Sequence, residues 1–190
     1  MKKEKLISII FKTSIKESVV SMLVDFLKGL VGNYIEPLFK EDVLSVFINS
    51  ECDVDFQSII QSLNEDFYVP STLFESSELF IGHDEYLAFI YANRKALLET
   101  NKMYLLESDL IKLKFTSEIL CKNILKDFYE DFEMRKIIKT YLEYNMNISK
   151  AADELFMHRN TLMYKIDNFI KTTGYDIKKF KYAFIIYHII

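Results

Sequence analysis

Arg159, Asn160 and Thr161 stand side by side in this sequence, followed at short spacing by Tyr164 and Lys165. Arg can bond a guanine edge in two places, and Asn can do the same for adenine. Thr161 suits a phosphate oxygen, as do the free amides of a helix's first turn. His158 precedes this cluster, and Ser149 and Lys150 lie upstream at the start of a separate apolar pattern. Together these residue types suit recognition of double-stranded DNA, with base edges read by some side chains and phosphates held by others. They suit no bond-making chemistry.

Three helices are needed to position them. Arg135–Tyr144 places Ile137, Ile138, Tyr141 and Leu142 at helical spacing. Asn147 can cap a short second helix, Ser149–Phe156, whose Ala151 and Ala152 allow a neighbour to pack closely. Met157 and His158 make a turn into a third helix, Arg159–Thr172, with Leu162, Ile166, Phe169 and Ile170 inward and Gly174 as its left-handed cap. That plan is a helix-turn-helix, whose last helix enters the major groove by its N-terminal residues. Asn147 and His158 as caps, and the lysines as a solvated face, are compatible with that role.

Charge is distributed to match. Arg135–Tyr182 holds ten basic and five acidic residues, whereas the chain as a whole carries a net charge of -4. A basic C-terminal third behind an acidic body is a footprint of nucleic-acid contact, though ordinary surface variation gives the same pattern.

The upstream sequence reads differently. Lys5–Phe11 suits a buried strand, and Ser14 to Glu17 has the form of a capping box leading into a helix that ends at Gly32. Tyr34–Phe39 and Val43–Ile48 predict a hairpin around Lys40-Glu41-Asp42. A helix over Val54–Phe67, an extended Ser71–Ile81, a helix over His83–Thr100 and a last strand, Met103–Leu106, complete a β-α-β-β-α-β order followed by α-β, the ferredoxin-like plan. From Ser108 the strand pattern stops, and Leu110–Phe128 predicts one long helix. With Gly 4 and Pro 2 in 190 residues, an all-β fold is excluded by its need for frequent turns. The longest uncharged runs, the terminal Tyr182–Ile190 among them, are 9 residues, too short for a membrane span, and no signal peptide is evident. Two cysteines make no disulfide framework. A soluble, reduced, cytoplasmic protein is expected.

The stretch Asn147–Ile177 resembles the C-terminal helix-turn-helix of the PucR/CdaR regulators, which govern purine catabolism and sugar-diacid use. The resemblance rests on LFMHRNTL at Leu155–Leu162, then Tyr164, Thr173 and Gly174, with Thr140-Tyr141-Leu142-Glu143 upstream. In larger members of that family this segment follows a degenerate GGDEF-like domain. The N-terminal order of elements is similar to it, as are Phe80-Ile81-Gly82 and the run Tyr86–Leu98. Two positions depart from the family, which commonly has Arg where this chain has Met163 and Lys165. Met163 removes a guanidinium that could bond phosphate or base.

A GGDEF-like plan invites a cyclase reading. That chemistry needs a Gly-rich hairpin turn for the triphosphate and carboxylates for two metal ions. Phe39-Lys40-Glu41-Asp42 has no Gly, and Phe11-Lys12-Thr13 has no carboxylate. His83, His158 and His188 are scattered and Cys52 and Cys121 have no His at fixed offset, so neither a metal nor a nucleophile is expected. The apolar end, Phe180–Ile190, either packs on the helical core or forms a dimer surface.

The expected fold class is therefore α+β. A ferredoxin-like, degenerate GGDEF-like βαββαβ domain over residues 1–107 leads through a connecting helix, 108–131, to an all-α helix-turn-helix domain, 132–190. The expected function is DNA-binding transcriptional regulation without catalysis, cofactor or metal. The expected DNA-binding residues are Ser149, Lys150, His158, Arg159, Asn160, Thr161, Tyr164 and Lys165. Double-stranded DNA is the partner and the protein a homodimer joined through the N-terminal domain or the long helix. An effector, small molecule or protein, is left unspecified, and no membrane is involved. The alternative is a non-catalytic protein-interaction module that keeps the helix-turn-helix as a fold without specific DNA binding.

Overall fold

A computed structural model describes residues 3–32, 36–112 and 117–190. The chain divides into two compact units, Met1–Leu110 and Ile111–Ile190.

The first unit is built on β1 (Glu4–Phe11), a run whose alternating side chains are buried on both faces of a sheet. The helices α1 (Glu17–Val31), α2 (Phe56–Glu65) and α3 (His83–Glu99) punctuate strands β2 (Leu38–Lys40), β3 (Val43–Asn49), β4 (Ser71–Glu75) and β5 (Tyr104–Leu106). The strand order is β2-β3-β1-β4-β5. β1 pairs antiparallel with β3 and β4, and β5 adds in parallel to β4. The first four strands thus have the ferredoxin-like arrangement the sequence order predicts. One face of β1, Ile7, Ile9 and Phe11, packs with Leu23 and Leu27 of α1 and Ile60 of α2. On the other face Phe74 stacks against Tyr86 of α3. Ser8 and Ser45, opposite each other and fully buried, satisfy one another by a 2.8 Å hydroxyl contact.

Four local expectations are corrected here. Ser14 does not cap α1: its hydroxyl donates to Asp42 at 2.9 Å, and the helix starts at Glu17 behind Lys16, without a side-chain cap. The hairpin's first strand starts later than expected, because Glu36 and Pro37 are not in it and β2 is three exposed residues, while Tyr34 and Ile35 of the expected strand lie outside the described residues. Its turn has left-handed backbone at both Glu41 and Asp42, the two-residue geometry that usually needs Gly. Arg94 offsets that cost by pairing with the Glu41 carboxylate at 3.2 Å and donating to its carbonyl. β4 stops at Glu75 rather than continuing to Ile81, because Ser76 turns its hydroxyl to accept the Leu6 N–H.

The fourth correction is the long helix. Leu110–Phe128 is broken into α4 (Glu107–Lys112), α5 (Glu118–Leu125) and a 3₁₀ turn at Lys126–Phe128. Ser117 has extended backbone and accepts the Leu120 N–H, so a new helix begins there. Lys126 then takes a positive φ, ending α5. Glu107 anchors the start of α4: it is buried and accepts from the Tyr86 and Ser77 hydroxyls.

The second unit continues with α6 (Phe132–Glu143), α7 (Ile148–Glu154), α8 (Arg159–Thr173) and α9 (Phe180–Ile189). Asp131 caps α6 by accepting the Met134 N–H at 2.8 Å. Ile137 and Ile138 of α6, Leu162 and Ile166 of α8 and Ile185 and Ile186 of α9 are fully buried. Phe169 of α8 packs against Phe128 with ring centres 5.2 Å apart. Among the described residues no helix is long and apolar enough to cross a membrane.

Candidate nucleic-acid interface

The candidate surface is the outer face of α7 and α8. Asn147 caps α7, accepting the Lys150 N–H at 3.1 Å. Ala151 and Ala152 are buried, and their small side chains let α7 and α8 approach closely. Residues 155–158 join the two helices, with Phe156 in left-handed backbone and 97% exposed. His158 caps α8 by accepting the Asn160 N–H on Nδ1 at 3.2 Å. Gly174, left-handed at φ 79°, closes α8 by donating to the Ile170 carbonyl at 2.8 Å.

Leu162, Ile166, Phe169 and Thr173 are the buried face of α8. Helical periodicity then turns Asn160 and Tyr164 outward, with Tyr164 74% exposed. Arg159 and Thr161 flank this stripe in the first turn, both exposed, beside the amides that give a helix N-terminus its affinity for anions. Ser149 and Lys150 are exposed in the first turn of α7. The fold therefore brings seven of the eight expected residues to the surface of one helix-turn-helix.

Lys165 is the exception. It is half-buried and its ammonium reaches Glu133 of α6 at 3.3 Å, so it is tied to the helical scaffold. Met163, where the family commonly has Arg, is exposed.

Two residues extend the stripe and were missed by sequence reasoning. Asn168 and Lys171 are exposed and follow Asn160 and Tyr164 at helical spacing. Counting outward from the buried Leu162, Ile166 and Phe169 could have found them. The acid on this face, Asp167, is paired with Lys178 at 2.6 Å, and that bond pushes the Lys178 ammonium's pKa up. On α7, Glu154 accepts from the Tyr144 hydroxyl at 2.6 Å, which raises the pKa of that hydroxyl.

The hairpin carboxylates of the first unit are engaged elsewhere, Glu41 by Arg94 and Asp42 by Ser14. Among the described residues no cluster of three His, Cys, Asp or Glu could hold a metal ion. Burial pushes the Cys121 thiol's pKa up, against the activation a nucleophile needs.

Comparison with known proteins agrees with this geometry. Residues 134–188 match the PucR C-terminal helix-turn-helix domain. The uncharacterized protein YxkF of Bacillus subtilis is 30% identical over 148 residues, covering 71% of this chain and 49% of YxkF. The proline-responsive transcriptional activator PutR of Bacillus subtilis is 32% identical over 69 residues, 36% of this chain and 17% of PutR. The chain thus spans half or less of these curated relatives. A crystal structure of a regulator of polyketide synthase expression from Bifidobacterium adolescentis shares the fold, with a TM-score of 0.51 at 15% identity over 98% of this chain and 78% of that one. The helices α6 to α9 of this chain are a PucR-type C-terminal helix-turn-helix domain.

Proposed function

We propose that this chain is a DNA-binding transcriptional regulator that acts as a homodimer and has no catalytic activity. One observation carries the reading. A PucR-type helix-turn-helix presents Arg159, Asn160 and Thr161 exposed in the first turn of α8, while Leu162, Ile166 and Phe169 fix that helix in the core. In this reading α8 enters the major groove, Arg159 and Asn160 meet base edges, and Ser149, Lys150 and Thr161 hold phosphates. His158 acts chiefly as the cap that sets the angle of that first turn. Tyr164 lies one turn deeper, and Lys165 contributes only when released from Glu133. A dimer follows because one such helix reads only a few base pairs and a twofold operator doubles the contacts. Residues 1–107, which make up most of the first unit, are read as a degenerate GGDEF-like domain, with the hairpin carboxylates serving the fold.

The test is fluorescence anisotropy with duplex DNA selected from a random pool. Arg159→Ala is expected to weaken binding to the selected duplex by about 1–3 kcal/mol. Wild-type affinity in that variant removes the assigned role. A second reading, a protein-interaction module, is favoured by the exposed Met163 and the scaffold-bound Lys165. Binding to such a partner would be far less sensitive to salt than DNA binding.

A further inference from the structure

Helix α9 has two faces. Ile185, Ile186 and Ile189 are buried in the second unit, whereas Phe180, Phe184 and Tyr187 are exposed at spacings of four and three. These three rings line one side of an open groove of about 330 Å³. The end of α6 supplies the other side, through Glu143, Asn145 and Met146. The backbone there is fixed: Asn145 and Met146 both take positive φ, and the Met146 N–H donates to the Tyr141 carbonyl at 2.9 Å. His188 braces the aromatic side, its ring 4.2 Å from Phe184 and its Nδ1 hydrogen-bonded to the Phe184 carbonyl at 2.8 Å.

The groove carries charge of one sign. Glu143 is exposed and forms no salt bridge among the described residues. No basic side chain is among the described residues that line it. Lys181, in the first turn of α9, stands over the Tyr182 ring at 5.4 Å instead.

We infer that this groove binds a small organic ammonium ion, its positive charge held by the aromatic rings and the Glu143 carboxylate. An aromatic face attracts a cation within about 6 Å of the ring centre. The Phe180 and Phe184 centres are 6.4 Å apart, so one cation can stand within that reach of both. The carboxylate opposite supplies the complementary charge, and Met146 meets the apolar part of the ion. An alkylated ammonium suits this lining better than a strongly hydrated cation, because its methyl groups gain from the rings while its charge is still satisfied. Size selects a small molecule. A groove of 330 Å³ falls at the lower end of small-molecule sites, roughly 300–1,000 Å³, whereas a protein partner needs roughly 800 Å² on each side. Each exposed ring contributes a factor of about two to five in affinity, so the binding is weak and the charge selects the ligand. Asn145 and Met146 lead from α6 into α7, which places the ion against the entry to the helix-turn-helix. A role as effector rests on the DNA-binding reading, whereas binding of the ion does not.

Amide NMR of the isotope-labelled full chain, with no DNA present, tests the site. Choline is the probe, and dimethylbutanol, its uncharged isostere, is the control. Choline is expected to shift the amides of residues 143–146 and 180–187 saturably, and to bind about tenfold more tightly than dimethylbutanol. Glu143→Gln should weaken choline about fivefold. Phe184→Leu keeps the apolar bulk but loses the aromatic face, and should weaken it about threefold. Both positions are exposed, and the same spectra report that the variants stay folded. Equal binding of the two probes overturns the inference, as do shifts confined to other residues, wild-type affinity in either variant, or no saturable shift with choline. A chain that binds choline yet binds no duplex keeps the site and loses the DNA reading. One that binds duplex without choline does the reverse.

Discussion

His158 Nδ1 accepts the backbone N–H of Asn160 at 3.2 Å, so the residue that caps α8 sits directly before the side chains assigned to base reading. The cap and the reading head are one short segment. Removing the cap frays the first turn and releases Arg159 and Asn160 from their fixed orientation. His158→Ala is expected to lower stability by about 1 kcal/mol, within the range for lost N-caps. His158→Asn restores an acceptor of similar reach and should recover most of that loss, which urea unfolding of the three proteins measures.

The ion pair between Lys165 and Glu133 predicts that an acid-to-neutral change at Glu133 tightens DNA binding. Glu133→Gln frees the Lys165 ammonium and removes a negative charge beside the interface. Duplex binding at low salt should tighten several-fold and its salt dependence steepen. Lys165→Ala should weaken binding less than Arg159→Ala. Equal losses in the two alanine variants would place Lys165 on the DNA in spite of its scaffold contact.

Phe169 seats α8 on Phe128 and is buried. Phe169→Ala leaves a cavity and should destabilise the second unit by about 3–5 kcal/mol. Tyr164→Ala, on the solvent side of the same helix, should change stability little and DNA binding more. Thermal unfolding beside anisotropy separates the two effects.

Burial, together with the Glu75 carboxylate that its hydroxyl bonds, holds the Tyr104 hydroxyl protonated well above the usual tyrosine range. A group whose pKa is raised on folding stabilises fully below its unfolded value, about 10 for Tyr, and ceases to do so as pH rises beyond it. The urea midpoint should therefore fall above about pH 10. Tyr104→Phe should lower stability at neutral pH and flatten that alkaline fall. An unchanged alkaline slope would show that Tyr104 ionises as freely in the folded chain as in the unfolded one.

The two units were not equally legible in the sequence. The helix-turn-helix was readable because its signals are local: caps at Asn147 and His158, the left-handed Gly174, and apolar spacing at Leu162, Ile166 and Phe169. Strand order also followed from the alternation of strands and helices. What was missed depends on partners distant in sequence. Ser14 looked like a cap, but Asp42 competes for its hydroxyl. Glu41 and Asp42 form a tight turn without glycine because Arg94, from a later helix, holds it. The long helix failed at Ser117, where a serine's own capping bond outweighed an uninterrupted apolar pattern. Spacing places Lys165 on α8 but says nothing of its ion pair with Glu133 of α6. Asn168 and Lys171 lie beyond the first turn of α8, where only the periodicity of the outward face marks them.

Anisotropy of the full chain with random duplex DNA, titrated between low and physiological salt, measures whether α7 and α8 bind DNA. Binding at low salt that weakens steeply as salt rises is expected, because each phosphate contact releases counterions. Arg159→Ala should weaken binding to a duplex selected from that pool. A folded chain that binds no duplex at low salt would exclude DNA recognition by this helix-turn-helix.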